Sequence, residues 1–179
     1  MVKKYIFYDL ETTGRGKKEN RNSFATSPKW EQILQIAAII TDENFKITNQ
    51  NMNIFCRPRT SIIAQPGAFL TTGRGIKETM MAELSSYELM KKINSTFDLW
   101  KKDNTENIFI GHNSINFDET VLEYNFFTNL FYPYPTRIKR GDTLNLVRGL
   151  YASNPSSIKT AFTEKGNPSF KLEKLAELN

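Results

Sequence analysis

Asp9 and Glu11 are the residues in this chain best spaced to do chemistry together, within Tyr8-Asp9-Leu10-Glu11-Thr12-Thr13-Gly14. They end an apolar run, Ile6-Phe7-Tyr8, and precede a glycine. Residues i and i+2 of a strand point to one face, so a strand here sets the two carboxylates side by side at its end. Like charges that close raise each other's pKa and repel unless a cation lies between them. Hard oxygen donors at a strand end suit a divalent ion such as Mg²⁺, although a solvated acidic turn carries the same short pattern. A second signal lies far along the chain, in Asn113-Ser114-Ile115-Asn116-Phe117-Asp118. Asp118 falls where a helix begins, a position that aims a carboxylate back over a sheet edge or serves only to cap the helix.

The elements that must position these residues follow from apolar periodicity. Residues 4–9 read as a strand, 33–41 as a buried strand and 52–57 as a third, forming a meander with a turn near Asp42-Glu43-Asn44. Residues 14–28 are polar and basic and read as a surface loop; residues 58–75, broken by Pro and Gly, read as mostly loop with one short helix. Ser85-Ser86-Tyr87-Glu88 has the form of a capping box and opens a helix to about residue 101, with Leu89, Ile93, Phe97 and Trp100 on one face. A short strand at 108–111, a helix at 118–130, a strand at 138–142 and a helix at 143–151 come next. Residues 154–168 read as loop and 169–178 as an amphipathic helix. Three strands followed by alternating helices and strands predict an α/β fold, a mixed sheet covered by helices.

Composition sets the bounds. The 179 residues are 39% hydrophobic and 24% charged, which fits one folded domain with its own core. The longest apolar runs, such as Ile36-Ala37-Ala38-Ile39-Ile40, are far too short for a membrane span. Met1-Val2-Lys3-Lys4 begins like a signal peptide, but Asp9 interrupts the apolar stretch and no small-residue cleavage site follows. Cys56 is the only cysteine, so no intramolecular disulfide forms; it reads as a small core residue, and a cytoplasmic setting is expected. The net charge of +5 is modest, but Arg15, Lys17, Lys18 and Arg21 follow the acidic turn, and Arg137, Lys139 and Arg140 precede Asp142. Such clusters suit a phosphate backbone or simply a solvated surface.

The two acidic motifs together resemble the first two motifs of the DEDD superfamily of 3′-to-5′ exonucleases, and within it the bacterial exonuclease I family. Cys56-Arg57-Pro58, Gln65-Pro66-Gly67-Ala68 and Thr72-Gly73 are similar to that family's segment after the third strand. The aromatic stretch Phe126-Phe127 through Phe131-Tyr132-Pro133-Tyr134 is similar as well, as are Asp142-Thr143-Leu144 and Pro168-Ser169-Phe170-Lys171-Leu172-Glu173. The resemblance implies a ribonuclease H-like single domain over residues 1–179 and hydrolysis at the 3′ end of single-stranded DNA. It implies two Mg²⁺ ions (Mn²⁺ as a substitute) flanking the scissile phosphate, one generating the attacking hydroxide and one stabilising the departing 3′-oxygen. Asp9, Glu11 and Asp118 would hold these ions, and Thr12, Thr13, Gly14, Asn113 and Phe117 would touch the terminal nucleotide. The aromatics at 126, 127, 131 and 132 read better as core packing than as stacking platforms.

The pattern also breaks. The family's branch carries a general-base histidine five residues before a fourth carboxylate, and the sequence holds no such spacing. Its one histidine, His112, lies before the second motif and reads as a strand-end residue with a local partner. Asp142 reads as the cap of the following helix rather than a substitute ligand. The helix at 169–178 resembles the one that precedes the family's missing motif, so the domain is expected to be incomplete at its C-terminus and weakly active or inactive alone. Binding to single-strand-binding protein does not carry over. Two alternatives stay open: a relative acting on RNA 3′ ends, and a non-catalytic module that binds 3′ ends.

Overall fold

The computed structural model describes residues 2–14, 31–59, 68–69, 73–102, 105–131 and 139–178. Its centre is a six-stranded sheet. Strands β1 (Val2–Thr12), β2 (Ile33–Thr41) and β3 (Met52–Arg57) form the expected antiparallel meander. A short helix α1 (Ile76–Met80) leads to β4 (Leu84–Ser85), which adds parallel to β3. Helix α2 (Ser86–Lys102) then crosses to β5 (Thr105–Gly111), parallel to β1 on its other side. A 3₁₀ turn, Ser114–Asn116, and helix α3 (Asp118–Thr128) precede β6 (Lys139–Asp142), parallel to β5. The spatial order is β4-β3-β2-β1-β5-β6, so β1 runs through the interior of the sheet.

Alternation along β1 decides what each face does. Ile6, Tyr8 and Leu10 are buried and join Ile36, Ala38 and Ile40 of β2, Phe109 of β5, Leu89, Ile93 and Phe97 of α2, and Val121, Leu122 and Phe126 of α3 in one core. Asp9 and Glu11 occupy the intervening positions and so the opposite face. Phe97 packs edge-on to Phe109 at 5.0 Å and stacks with Phe126 at 6.1 Å between ring centroids. Each such side chain, fully buried, contributes about 1.5–3 kcal/mol. Cys56 is wholly buried in this core, and burial pushes its thiol up to about 12.

The capping box is present: the Ser85 N–H and hydroxyl donate to Glu88 Oε2 at 2.7 and 2.6 Å, and the Glu88 N–H donates back to Ser85 Oγ at 3.3 Å. Helix α3 stops at Thr128, short of the expected residue 130. Leu130 turns left-handed, with φ 63°, the Leu130 N–H donates to Phe127 O and the Phe131 N–H to Phe126 O, and the Phe131 ring closes on Phe126. That is a Schellman ending with leucine where glycine is usual. Phe126 and Phe131 pack as core, whereas Phe127 is exposed.

Helix α4 (Thr143–Ser153) is followed by a 3₁₀ turn at Pro155–Ser157. Residues 154–168 are not all loop: β7 (Ala161–Phe162) and β8 (Pro168–Ser169) pair as a small hairpin around Gly166 at φ 76°. Pairing of Pro168–Ser169 delays helix α5 to Leu172–Leu178, later than the expected start at residue 169. The basic residues Arg15, Lys17, Lys18, Arg21 and Arg137, the segment Gln65-Pro66-Gly67, Thr72, Tyr132 and the side chain of Trp100 lie outside the described residues. Among the described residues no helix is long and apolar enough to cross a membrane.

Candidate active site

The site forms where β1 outruns its neighbour. Pairing of β1 with β5 ends at Phe7, opposite Ile110, while β1 continues to Thr12 beside β2. The register with β2 slips between Glu11 and Thr12, which pair with Gln35 and Ile33 and leave Leu34 as the extra residue of a bulge. Bulges beside a site bend a strand and re-aim its side chains. Here the bulge lies on β2, opposite the Glu11–Thr12 step.

Asp118 arrives from the other side. β5 ends at Gly111, where a Cβ would meet Ser114 Cβ at 2.4 Å, so the close fold-back of the chain requires glycine. Asn113 then turns left-handed, with φ 62°, a conformation asparagine tolerates better than most residues. The 3₁₀ turn follows, and Asp118 becomes the first residue of α3. Its side chain is buried and reaches back to β1, where Oδ1 accepts the Leu10 N–H at 3.2 Å. Asp118 is therefore no mere helix cap: its carboxylate is aimed over the sheet edge at the strand that carries Asp9 and Glu11.

The electrostatics match this crowding. The Asp118 carboxyl is pushed up to about 7, first by burial and then by the charges of Asp9 and Glu11, with the Leu10 N–H and its own N–H opposing. Asp9 is open to solvent at the edge, yet the protein packed around its carboxylate raises its pKa as well, against the Leu10 N–H and the charge of His112. In donor type and charge, Asp9, Glu11 and Asp118 fit a hard divalent cation, which would relieve the repulsion that holds Asp118 up. Among the described residues no three His, Cys, Asp or Glu side chains converge tightly enough to enclose an ion unaided, so the set is partial.

The remaining candidates divide. Thr12 and Thr13 are buried with their hydroxyls turned inward: Thr12 donates to Gly14 O at 2.6 Å and Thr13 to Glu31 Oε2 at 2.6 Å. Thr13 Oγ1 also accepts the Gln32 N–H at 2.9 Å, and the Thr13 N–H donates to Gln32 O at 2.9 Å, so these threonines brace the strand end. Asn113 is exposed, and Phe117, next to Asp118, is half-buried against the core. His112 has two protein partners: Nδ1 lies 3.0 Å from Thr143 Oγ1 and Nε2 2.9 Å from Phe170 O. A carbonyl accepts only, so Nε2 carries a hydrogen and donates it there. Asp142 does cap α4, accepting the Leu144 and Asn145 N–H groups at 2.9 and 3.4 Å.

Two features escaped the sequence. Glu119, next to Asp118, is buried and pairs with Arg140 of β6 at 2.8 Å; burial raises its carboxyl and the guanidinium opposes. Asp142 also accepts the N–H groups of Asn113 and Ile115, at 2.9 and 3.2 Å. No local motif announces either contact. The only hint at Glu119 was a second acid beside Asp118, with a basic pair waiting at Lys139-Arg140.

Comparison with known proteins bears on the fold and the family. Exodeoxyribonuclease I of Haemophilus influenzae is 32% identical over the whole chain, which spans 36% of that protein. The Escherichia coli enzyme of the same name is 30% identical over 98% of the chain and 34% of its own length. The chain thus spans about a third of the relatives it matches. Among solved structures, a product-bound exonuclease I superposes on all of the chain and 39% of its own with a TM-score of 0.82 and 28% identity. E. coli exonuclease I in complex with a dA16 oligonucleotide matches 99% of the chain and 36% of its own with a TM-score of 0.80 and 28% identity. The fold is the ribonuclease H-like nuclease fold of these enzymes, whose family normally works with divalent metal ions. The exonuclease family matches residues 6–177, and on that near-complete match the chain belongs to the exonuclease family.

Proposed function

We propose that the chain is a 3′-to-5′ exodeoxyribonuclease domain acting on the 3′ end of single-stranded DNA, with Asp9, Glu11 and Asp118 as its metal-holding carboxylates and Mg²⁺ as the ion. The observation that carries this reading is the Asp118 carboxylate, buried, reaching across to β1 and raised to about 7 partly by Asp9 and Glu11. Carboxylates close enough that two of them help raise the third suit a cation site. When bound, divalent ions supply a nucleophile at neutral pH and positive charge for the departing oxygen. The chain's own residues hold and orient: Asp9 and Glu11 from one face of β1, Asp118 from the head of α3. Asn113, Phe117, Gly14 and the backbone of Thr12 and Thr13 line the approach for a terminal nucleotide. Oligonucleotides bound to structural neighbours support single-stranded DNA over RNA as the substrate.

His112 does not serve as general base in this reading, because its Nε2–H is spent on Phe170 O and its Nδ1 faces Thr143. Residues 1–179 hold no His-x-x-x-x-Asp spacing, so in this reading the chain as given turns over weakly or not at all. Lack of a positioned base lowers rates about 10²–10⁴-fold. The test is digestion of 5′-labelled single-stranded DNA, and of RNA of the same sequence, with Mg²⁺ and with chelator. It uses the chain as it stands and extended by the segment of a relative that bears the family's His-x-x-x-x-Asp motif. The extended form is expected to shorten DNA from its 3′ end only with Mg²⁺, and Asp9→Ala to abolish this. Unchanged cleavage by Asp9→Ala, or shortening confined to RNA, contradicts the reading.

A further inference from the structure

Asp142 makes more contacts than a helix cap needs. Its Oδ1 accepts Leu144 N–H and Asn145 N–H of α4, and the same oxygen accepts Asn113 N–H at 2.9 Å. Oδ2 accepts Ile115 N–H at 3.2 Å. One buried carboxylate thus gathers backbone donors from α4 and from the loop that delivers Asp118, elements adjacent only because Gly111 pairs with Asp142 at the end of β5 and β6. That loop needs holding. Asn113 is left-handed, and the Asn113–Asn116 turn is tied within itself only by bonds of 3.2–3.4 Å. Charged acceptors make the stronger backbone hydrogen bonds.

We propose that Asp142 is a positioning residue for the carboxylate site: by clamping Asn113 and Ile115 to the head of α4, it fixes the turn from which Asp118 reaches Leu10. The proposal rests on the reading of Asp9, Glu11 and Asp118 as a metal site for its functional consequence, but not for its structural one. Capping and clamping are separable by chemistry. Serine caps helices about as well as aspartate, yet its single hydroxyl cannot also span to Asn113 and Ile115.

The experiment uses Asp142→Ser in the 179-residue chain, with Asp142→Asn as a second variant that keeps Oδ1 and loses only the acceptor facing Ile115. Amide hydrogen exchange is read at Asn113, Ile115 and Leu10, and Mn²⁺ affinity is read by electron paramagnetic resonance. Asp142→Ser is expected to keep the cooperative fold and to release Asn113 and Ile115. It is also expected to speed exchange at Leu10, whose N–H reports the placement of Asp118, and to weaken Mn²⁺ binding by roughly tenfold, as loss of an outer support does at metal sites. Asp142→Asn is expected to release Ile115 and to lie between wild type and Ser at Leu10. Leu10 exchange unchanged in both variants while Ile115 is released overturns the proposal, since Asp118 then holds its place without the clamp. If wild type binds no Mn²⁺, the metal reading fails, and Leu10 exchange alone still decides the role of Asp142.

Discussion

Asp118 is the carboxylate most strongly shifted in the proposed site, and its protonation makes a sharp demand on stability. Its folded-state carboxyl titrates near 7 against an ordinary 3.8. Between those values the folded chain holds a proton that the unfolded chain has released, so this group's contribution to stability is present below pH 4 and is lost as pH rises through 7. Asp118→Asn removes the ionisation while keeping an oxygen for the Leu10 N–H. The variant is expected to be more stable than wild type by roughly 1–3 kcal/mol at pH 7.5, with the advantage gone near pH 4. Thermal melts of both proteins across that range check it. A constant difference at all pH values would show that the Asp118 carboxyl is not raised in the folded protein, by burial or by its neighbours. Much of this was legible at the residue scale: Asp9 and Glu11 share a face because a strand alternates, and Asp118 sits at a helix start. The reach of Asp118 to Leu10 was foreseeable only as a direction, and the second pair of bonds to Asp142 not at all. Its partners there are backbone N–H groups, which have no letter in the sequence.

The elements show the same division between what local patterns announce and what packing decides. The capping box at Ser85 and Glu88 was readable because both partners lie within four residues, and it holds α2 in register so that Leu89, Ile93 and Phe97 enter the core. Ser85→Ala is expected to lower unfolding stability by about 1 kcal/mol, seen as a lower urea midpoint at unchanged slope. A loss near zero would mean that core packing alone sets the start of α2. The bulge opposite Glu11 was hidden, although Ile33 and Leu34, buried in succession, break the alternation that a regular strand would keep. The hairpin of β7 and β8 escaped because two-residue strands carry no periodicity, and the end of α3 because leucine rarely takes a left-handed turn. The bulge depends on pairing between strands, whereas the hairpin and the helix end are short local turns that leave no periodic trace.

At the scale of the whole molecule the arrangement separates support from chemistry. One face of the sheet is committed to α2, α3 and the core; the other carries Asp9 and Glu11, with Asp118 brought in from the head of α3. The sheet order was predictable only in its first half, because the meander follows from short turns, whereas placement of β5 beside β1 depends on a crossover through α2. That crossover puts the second motif next to the first. The central claim is that the three carboxylates form a divalent-cation site, and the most direct measurement is Mn²⁺ titration of the chain, its Asp9→Asn variant and, as a control, Asp42→Asn in the exposed turn after β2. The expected result is saturable binding by wild type and Asp42→Asn that weakens at least about tenfold in Asp9→Asn. Equal binding by wild type and Asp9→Asn, or none by wild type, contradicts the account.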